Sequence, residues 1–197
     1  MNARLSYDEM KELLEVRLKP KRFCHSLGVA ETAAKLARRF GVDEETARVA
    51  GLLHDCAREF PNEAMIAEAD ERRLVYGPIE RAMPLLLHAA LGAARAAELY
   101  GVDDDAIAQA ICRHTVGGPR MTRLDKIIWF ADMIEPSRSY PEVERLRALA
   151  RQASLDEMLL AGLTDSIKFV AEKGHLIHPD TIEARNELLL QGVTVPV

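Results

Sequence analysis

Residues 44–58 read EETARVAGLLHDCAR, and this stretch decides the fold. Its middle part, VAGLL at residues 49–53, is apolar, and Asp43 stands before it as a candidate helix N-cap. An apolar run of this kind is typical of a helix buried at the centre of a domain. We therefore expect a central helix that carries His54 and Asp55 near its C-terminal end.

Helix signals recur on both sides of this stretch, whereas strand signals are almost absent. Ser6 and Glu9 form the pattern of a capping box, and Gly41 is placed to end a helix that starts near Pro20. Further helices are predicted from Pro61, from Pro84 to Gly101, from Asp103 or Asp104 to His114, from Thr122 to Pro136, from Ser154 to about Lys173 and from Pro179. With 197 residues, 48% of them hydrophobic, the chain suits one all-α helical domain over residues 1–197.

The composition excludes several kinds of partner. The net charge is −5 and the isoelectric point about 5.7, so the chain lacks the general basic field that binds long nucleic acids. No apolar run approaches the roughly 20 residues needed to cross a bilayer, and the N-terminus lacks the apolar core of a signal peptide. Three cysteines without regular spacing fit a reducing compartment. We expect a cytoplasmic protein with no membrane partner; its apolar helices leave a homodimer open.

Four of the six histidines fall into an ordered series with two aspartates, each near an apolar helical stretch. The series runs His25, His54, Asp55, His88, His114 and Asp132. Imidazole and carboxylate ligands suit divalent iron, manganese, cobalt or zinc. The series therefore predicts a buried metal site that performs metal-assisted hydrolysis.

The series offers too many ligands for one tetrahedral ion. A carboxylate such as Asp55 can bridge two ions, which favours a two-metal site. In this interpretation His25, His54, Asp55 and Asp132 hold one ion, and Asp55, His88 and His114 hold the second. The second ion would then keep open positions for water and substrate.

Several residues near the series have simpler explanations than metal binding. His175 and His178 stand in a segment that reads as a turn, and we expect neither to be a ligand. Cys24, Cys56 and Cys112 lie beside members of the series, but free cysteine is commonly a small buried residue. We therefore expect no thiolate ligand.

The ordered series on helices resembles the HD superfamily of metal-dependent phosphohydrolases. A closer resemblance is to the YqeK family of symmetrical bis(5′-nucleosyl)-tetraphosphatases, and it extends from about Lys21 to Asn186. It is carried by KRFCHSLGVAETAAKLA, AGLLHDCAR, LLLHAALGA, ICRHTVGGPRMTRLDKIIWFADMIEPSR and HPDTIEARN. The long segment from RHTVG to EPSR is the most specific of these.

The resemblance implies an HD-domain helical bundle that cleaves diadenosine tetraphosphate and related dinucleoside polyphosphates into two ADP. It also implies iron, two ions per chain, held by the six residues of the series, with manganese or cobalt as other possible metals.

The resemblance suggests phosphate contacts as well. We expect Asp55 and Arg58 to be catalytic, with Arg58 neutralising charge on the attacked phosphate. HD enzymes commonly carry lysine at the position of Arg58; its planar guanidinium changes the geometry, and it could instead complement a helix dipole. Arg138 and Thr115 are further candidates for substrate binding, although either could be an ordinary loop residue. Tyr76, Phe60 or Tyr140 could line an adenine pocket, and the sequence does not rank them.

Other functions remain open at this point. The chain could be an HD phosphohydrolase that acts on another nucleotide, which substrate profiling would distinguish. It could also be a metal-containing nucleotide-sensing module with little turnover, although a complete ligand set disfavours that. A di-iron oxygenase is a more distant hypothesis and would consume oxygen.

Overall fold

A computed structural model describes residues 4–195 of the chain. These residues form α-helices and one 3₁₀ turn and contain no strand, which confirms the all-α prediction. The helices are α1 (Tyr7–Arg17), α2 (Pro20–Phe40), α3 (Glu44–Leu53), α4 (Asn62–Glu71), α5 (Pro78–Ala82), α6 (Leu87–Tyr100), α7 (Asp105–Arg113), α8 (Arg123–Ile134), α9 (Val143–Gln152), α10 (Leu155–Glu172) and α11 (Pro179–Leu190), and the 3₁₀ turn is Pro84–Leu86. Residues 1–3 and 196–197, which the single-domain prediction includes, lie outside the described residues, and that prediction stays a prediction.

The helix starts follow the capping residues of the sequence. Ser6, Thr122 and Ser154 each form a capping box at the start of α1, α8 and α10. Asp43 accepts a hydrogen bond of 2.7 Å from the backbone N–H of Thr46 and so caps α3. These bonds satisfy backbone donors that have no partner inside the helix, which fixes where each helix begins.

The central helix α3 packs closely against α2. Gly51 permits this, because a Cβ at that position would lie 2.9 Å from the Cα of Ala30. The helix is shorter than predicted and ends at Leu53, with His54 as its C-cap. Beyond it the chain continues in tight turns, in which the N–H of Arg58 donates to the carbonyl oxygen of Asp55 at 2.9 Å. His54 and Asp55 therefore project from a turn at the end of a buried helix.

The helices around α3 bring the predicted ligands together. α2, α7 and α8 pack directly on α3, and α6 packs on α7. A smaller apolar cluster beneath α4, which includes Met65 and Leu91, supports the start of α6. The five-residue helix α5 had no counterpart in the sequence predictions. No helix within residues 4–195 combines the length and the hydropathy required to cross a membrane.

Candidate metal centre

All six residues of the predicted series lie in one cluster. The side chains come from α2 (His25), the turn after α3 (His54 and Asp55), the first turn of α6 (His88), the C-cap of α7 (His114) and α8 (Asp132). Five of the six are buried, and the side chain of Asp132 is 20% exposed. Three overlapping groups within the cluster have ligand atoms within 4.8 Å of one another and could each hold a metal ion.

Asp55 stands between two sets of histidines. Its Oδ2 lies 3.5 Å from Nε2 of His54 and 3.8 Å from Nε2 of His25. Its Oδ1 lies 3.2 Å from Nε2 of His88 and 3.6 Å from Nε2 of His114. The two oxygens of one carboxylate thus face different ligand sets, which is the arrangement that a bridge between two ions requires.

We call the part of the cluster formed by His25, His54 and Asp132 the first end. Nε2 of His25 lies 2.9 Å from Oδ1 of Asp132. Nδ1 of the same histidine donates to Oε1 of Glu135 at 3.0 Å. Glu135 is 1% exposed and accepts further hydrogen bonds from the backbone N–H and the hydroxyl of Ser137. The carboxylate of Glu135 therefore fixes the orientation of the His25 ring.

Glu135 was missed in the sequence, although it stands in the EPSR segment. Gly28 makes room for it, because a Cβ at that position would lie 2.5 Å from Oε2 of Glu135. Glycine in the middle of α2 is explained by this contact. The only signal in the sequence was an acidic residue close to Asp132, which does not by itself predict a contact with His25.

We call the part formed by His88 and His114 the second end. Here the rings are held by the backbone: Nδ1 of His114 donates to the carbonyl oxygen of Ile111 at 2.6 Å, and Nδ1 of His88 donates to that of Leu85. Because a carbonyl can only accept, each Nδ1 carries the hydrogen, and in the neutral ring Nε2 carries a lone pair. The two Nε2 atoms face each other at 3.0 Å. Lone pairs at that separation repel, so a cation between them suits this donor set.

The protonation of the carboxylates also suits a metal. Burial raises the pKa of Asp55, but the charge of His54 and the close polar contacts with His114, His54 and His88 outweigh it, so the pKa lies well below its ordinary value. Burial likewise raises the pKa of Asp132, and hydrogen bonding to His25 with the charges of His54 and Arg138 lowers it further than burial raises it. Both carboxylates are therefore ionised, as metal ligands must be.

Among the side chains predicted to contact phosphate, that of Arg58 has the fewest bonds to other described residues. Its side chain is half-buried and makes no hydrogen bond or ion pair with another residue in the described range 4–195. Burial lowers its pKa, while the nearby charges of Asp55 and Asp132 raise it. The guanidinium thus lies in the electrostatic field of the cluster with its donors uncommitted.

Arg138 and Thr115 contact opposite ends of the cluster. Nε of Arg138 donates to the carbonyl oxygen of Asp132 at 2.8 Å, and its Nη2 pairs with the carboxylate of the same residue. The hydroxyl of Thr115 lies 3.1 Å from Nε2 of His114 and 3.3 Å from Nε2 of His88. The amide of Gly117 is already bonded to the carbonyl oxygen of Arg113, which supports a turn role for that glycine.

Arg22 is a further residue that the sequence interpretation missed. Its Nη1 lies 2.7 Å from Oδ2 of Asp55, and it stands three residues before His25 on the same face of α2. The only signal was a basic residue one helical turn before a predicted ligand.

The remaining candidates lie outside the cluster. His178 pairs with Oε1 of Glu80 at 3.0 Å and caps α11, and His175 is exposed in the preceding loop. Cys56 donates to the carbonyl oxygen of Gly92, and burial raises the pKa of its thiol to about 12. It is therefore a thiol, not a thiolate, at neutral pH.

The three aromatic candidates for base binding lie in different surroundings. The ring of Phe60 is covered by the guanidinium of Arg95, whose Cζ lies 4.1 Å from the ring centroid. Tyr140 lines a cavity beside His25, and Tyr76 lines another cavity beside Thr115.

Known proteins resemble this chain over most of its length. The sequence profile of the HD domain matches residues 22–137. A symmetrical bis(5′-nucleosyl)-tetraphosphatase of Halalkalibacterium halodurans is 37% identical over 91% of this chain and 95% of its own. The enzyme of the same name from Bacillus subtilis is 35% identical over 94% of this chain and 98% of its own. A crystal structure from Clostridium acetobutylicum, described as a predicted HD superfamily hydrolase involved in NAD metabolism, superposes with a TM-score of 0.91 at 41% identity and covers 96% of this chain and 100% of that one.

Proposed function

This chain belongs to the HD-domain family and, within it, to the family of symmetrical bis(5′-nucleosyl)-tetraphosphatases, and on that basis we propose that it hydrolyses diadenosine tetraphosphate into two ADP. The observation that carries the proposal is the position of Asp55, with one oxygen facing His25 and His54 and the other facing His88 and His114. The chain is therefore a hydrolase whose His/Asp cluster could hold divalent metal.

We propose two ions per chain, with iron as the metal and manganese or cobalt able to take its place. The donor set supports this, because imidazole and carboxylate ligands without thiolate suit these metals. When bound, ions held by these residues would supply Lewis-acid chemistry, that is, activation of water near neutral pH and stabilisation of negative charge in a displacement at phosphorus.

The protein side chains then bind and orient the phosphates. Arg58 has a guanidinium without a partner in the described part of the chain, and it would donate hydrogen bonds to the phosphate under attack. Arg138 would hold Asp132 in place and offer its remaining donors to a neighbouring phosphate. Thr115 would donate its hydroxyl hydrogen to an oxygen of substrate at the second end.

The test is the product pattern. Anaerobically purified, iron-loaded protein is incubated with diadenosine tetraphosphate, and the products are separated by ion-exchange chromatography. ADP as the sole product is expected, because cleavage is symmetrical. AMP together with ATP would contradict symmetrical cleavage, and no product from protein with full metal content would overturn the proposal. Asp55→Ala is the control that should form no product.

No observation favours action on another nucleotide or a sensing role with little turnover. The cytoplasmic location and the homodimer stay predictions.

A further inference from the structure

A cavity of about 500 Å³ opens beside the first end of the metal centre. One wall is the start of α2, and the other is the segment after α8. Among its lining residues are Lys19, Lys21, Arg22, His25, Arg138 and Tyr140. Because His25 is a proposed ligand, the cavity is continuous with the metal centre. Its volume lies within the range of roughly 300–1,000 Å³ that small-molecule sites occupy.

The cavity concentrates positive charge in a chain whose net charge is −5. Four basic side chains line it, two of which, Arg22 and Arg138, pair with the carboxylates of Asp55 and Asp132 in the cluster. The one acidic side chain of the lining, Glu135, already accepts hydrogen bonds from His25 and Ser137. Within residues 4–195, neither Lys19 nor Lys21 has an ion-pair or hydrogen-bond partner for its side chain. The positive charge of the two lysines is therefore available to an anion.

The basic residues follow one another along the start of α2 toward His25. Lys21 and Arg22 precede His25 by four and three residues, so each lies one helical turn from His25, on either side of it. Lys19 lies six residues before His25, about 9 Å along the helix axis. A single phosphate cannot cover that span, whereas a chain of phosphates can. The positive end of the α2 dipole adds to the same wall.

We infer that this basic cavity binds one nucleoside diphosphate half of the substrate, with its phosphates held by Lys19, Lys21 and Arg22 as they lead to the metal centre. The inference rests on the proposed function and goes beyond it, since it assigns one half of a symmetrical substrate to a particular side of the centre. The cavity beside Thr115 differs in the charge of its lining, which has the two acidic residues Glu80 and Asp180 against one arginine, Arg113. Two identical halves of the substrate thus meet different surroundings.

Lys19→Ala combined with Lys21→Ala tests the inference. ADP is the binding probe, measured by isothermal titration calorimetry, and diadenosine tetraphosphate is the substrate. We expect the Kd for ADP and the KM for substrate each to rise about tenfold, because two exposed charge contacts are lost. The rise should shrink at high salt, where such contacts are screened. Metal content should equal that of the unmodified protein.

Lys35→Ala is the matched control. It removes one lysine charge from α2, about 21 Å further along the helix axis from Lys21, and it should leave the Kd for ADP and the KM unchanged. Unchanged Kd and KM in the double variant would overturn the inference, as would an equal rise in Lys35→Ala or a loss of metal from the double variant. Failure of the unmodified protein to cleave diadenosine tetraphosphate would instead count against the proposed function, since ADP binding is measured separately.

Discussion

The two ends of the proposed metal centre are held in partly different ways. At the first end, charged side chains orient two of the three residues: Glu135 bonds to His25, and Arg138 bonds to Asp132. The third, His54, donates from Nδ1 to the carbonyl oxygen of Gly51 at 2.7 Å. At the second end, backbone carbonyls hold His88 and His114, and the neighbouring polar side chain is the hydroxyl of Thr115. The first end therefore has more anionic ligands and a charged support, which suits the retention of an ion. The second end has fewer protein ligands, and such sites keep positions for water and substrate.

The pKa shifts of His25 and His88 agree with this difference between the two ends. Burial lowers the pKa of His25, but hydrogen bonds to Asp132 and Glu135 raise it by more, so its pKa lies above the ordinary value. Burial also lowers the pKa of His88, and here Asp55 does not compensate, so the pKa stays below the ordinary value. Anionic groups thus stabilise positive charge more strongly at the first end. We expect the first end to bind its ion more tightly.

The largest expected effect comes from the residue shared by both ends. Asp55→Ala removes an oxygen ligand from each end at once, so both ions should be lost and turnover should fall by on the order of 10³-fold or more. Elemental analysis and ADP release measure the two effects. His175→Ala is the control. Its metal content and turnover should stay within a small factor of those of the unmodified protein, because His175 is exposed outside the cluster. Full metal occupancy in Asp55→Ala would contradict the bridging role.

Substitutions of Arg58 test charge stabilisation separately from metal retention. Arg58→Ala should lower kcat by about 10²-fold, because it removes donors that act on the developing negative charge, while both ends keep their ions. Arg58→Lys keeps the charge but loses the planar fork, and it should recover part of the loss. An unchanged kcat in Arg58→Ala would leave the residue with a structural role in the turns that follow α3.

Metal affinity at the first end alone can be lowered by changing Glu135, the residue that orients His25. Glu135→Gln removes the charge that orients His25 and should lower metal affinity there about 10–100-fold, as measured by competition with a chelator. Gly28→Ala should act in the same direction, because its Cβ would displace the Glu135 carboxylate. Glu142→Gln, at an exposed glutamate outside the cluster, should leave metal affinity unchanged. Equal affinities in all three variants would remove the proposed difference between the ends.

The smallest effect is expected at the second end. Thr115→Val removes one hydroxyl while it keeps the shape, so metal content should hold and KM should rise a few-fold, in line with the loss of about 1 kcal/mol from one hydrogen bond. Thr164→Val is the control, because that hydroxyl lies outside the cluster, where it donates to the carbonyl oxygen of Leu160 and accepts from Nε of Arg185. A loss of metal in Thr115→Val would show that the second end depends on the hydroxyl to hold its ion.

The sequence predicted the parts of the fold that local chemistry decides. Ser6, Thr122 and Ser154 marked helix starts because their caps act within three residues. The ligand series was visible because its six members fall in five separated segments, each near an apolar helical stretch. The contacts of Glu135 with His25 and of Arg22 with Asp55 were not visible. They join residues 110 and 33 positions apart, and they depend on how α2 packs against α8 and the end of α3.

The early end of α3 was not predictable for a related reason. The residues after Leu53 suit a helix locally, but the structure has them in successive turns closed by hydrogen bonds between residues three apart, which aim His54 and Asp55 into the cluster. The basic cavity likewise combines residues 19–22 with residues 137–140, and no local pattern connects those two segments.

The most direct test of a two-ended centre is anomalous diffraction from crystals of the iron-loaded protein, recorded at the iron absorption edge. Two peaks about 3.5–4 Å apart are expected, with one oxygen of Asp55 on each. More protein ligands are expected on the ion beside His25 and Asp132 than on the ion beside His88 and His114. A single peak, or two peaks with both oxygens of Asp55 on the same ion, would rule out a bridged two-metal centre.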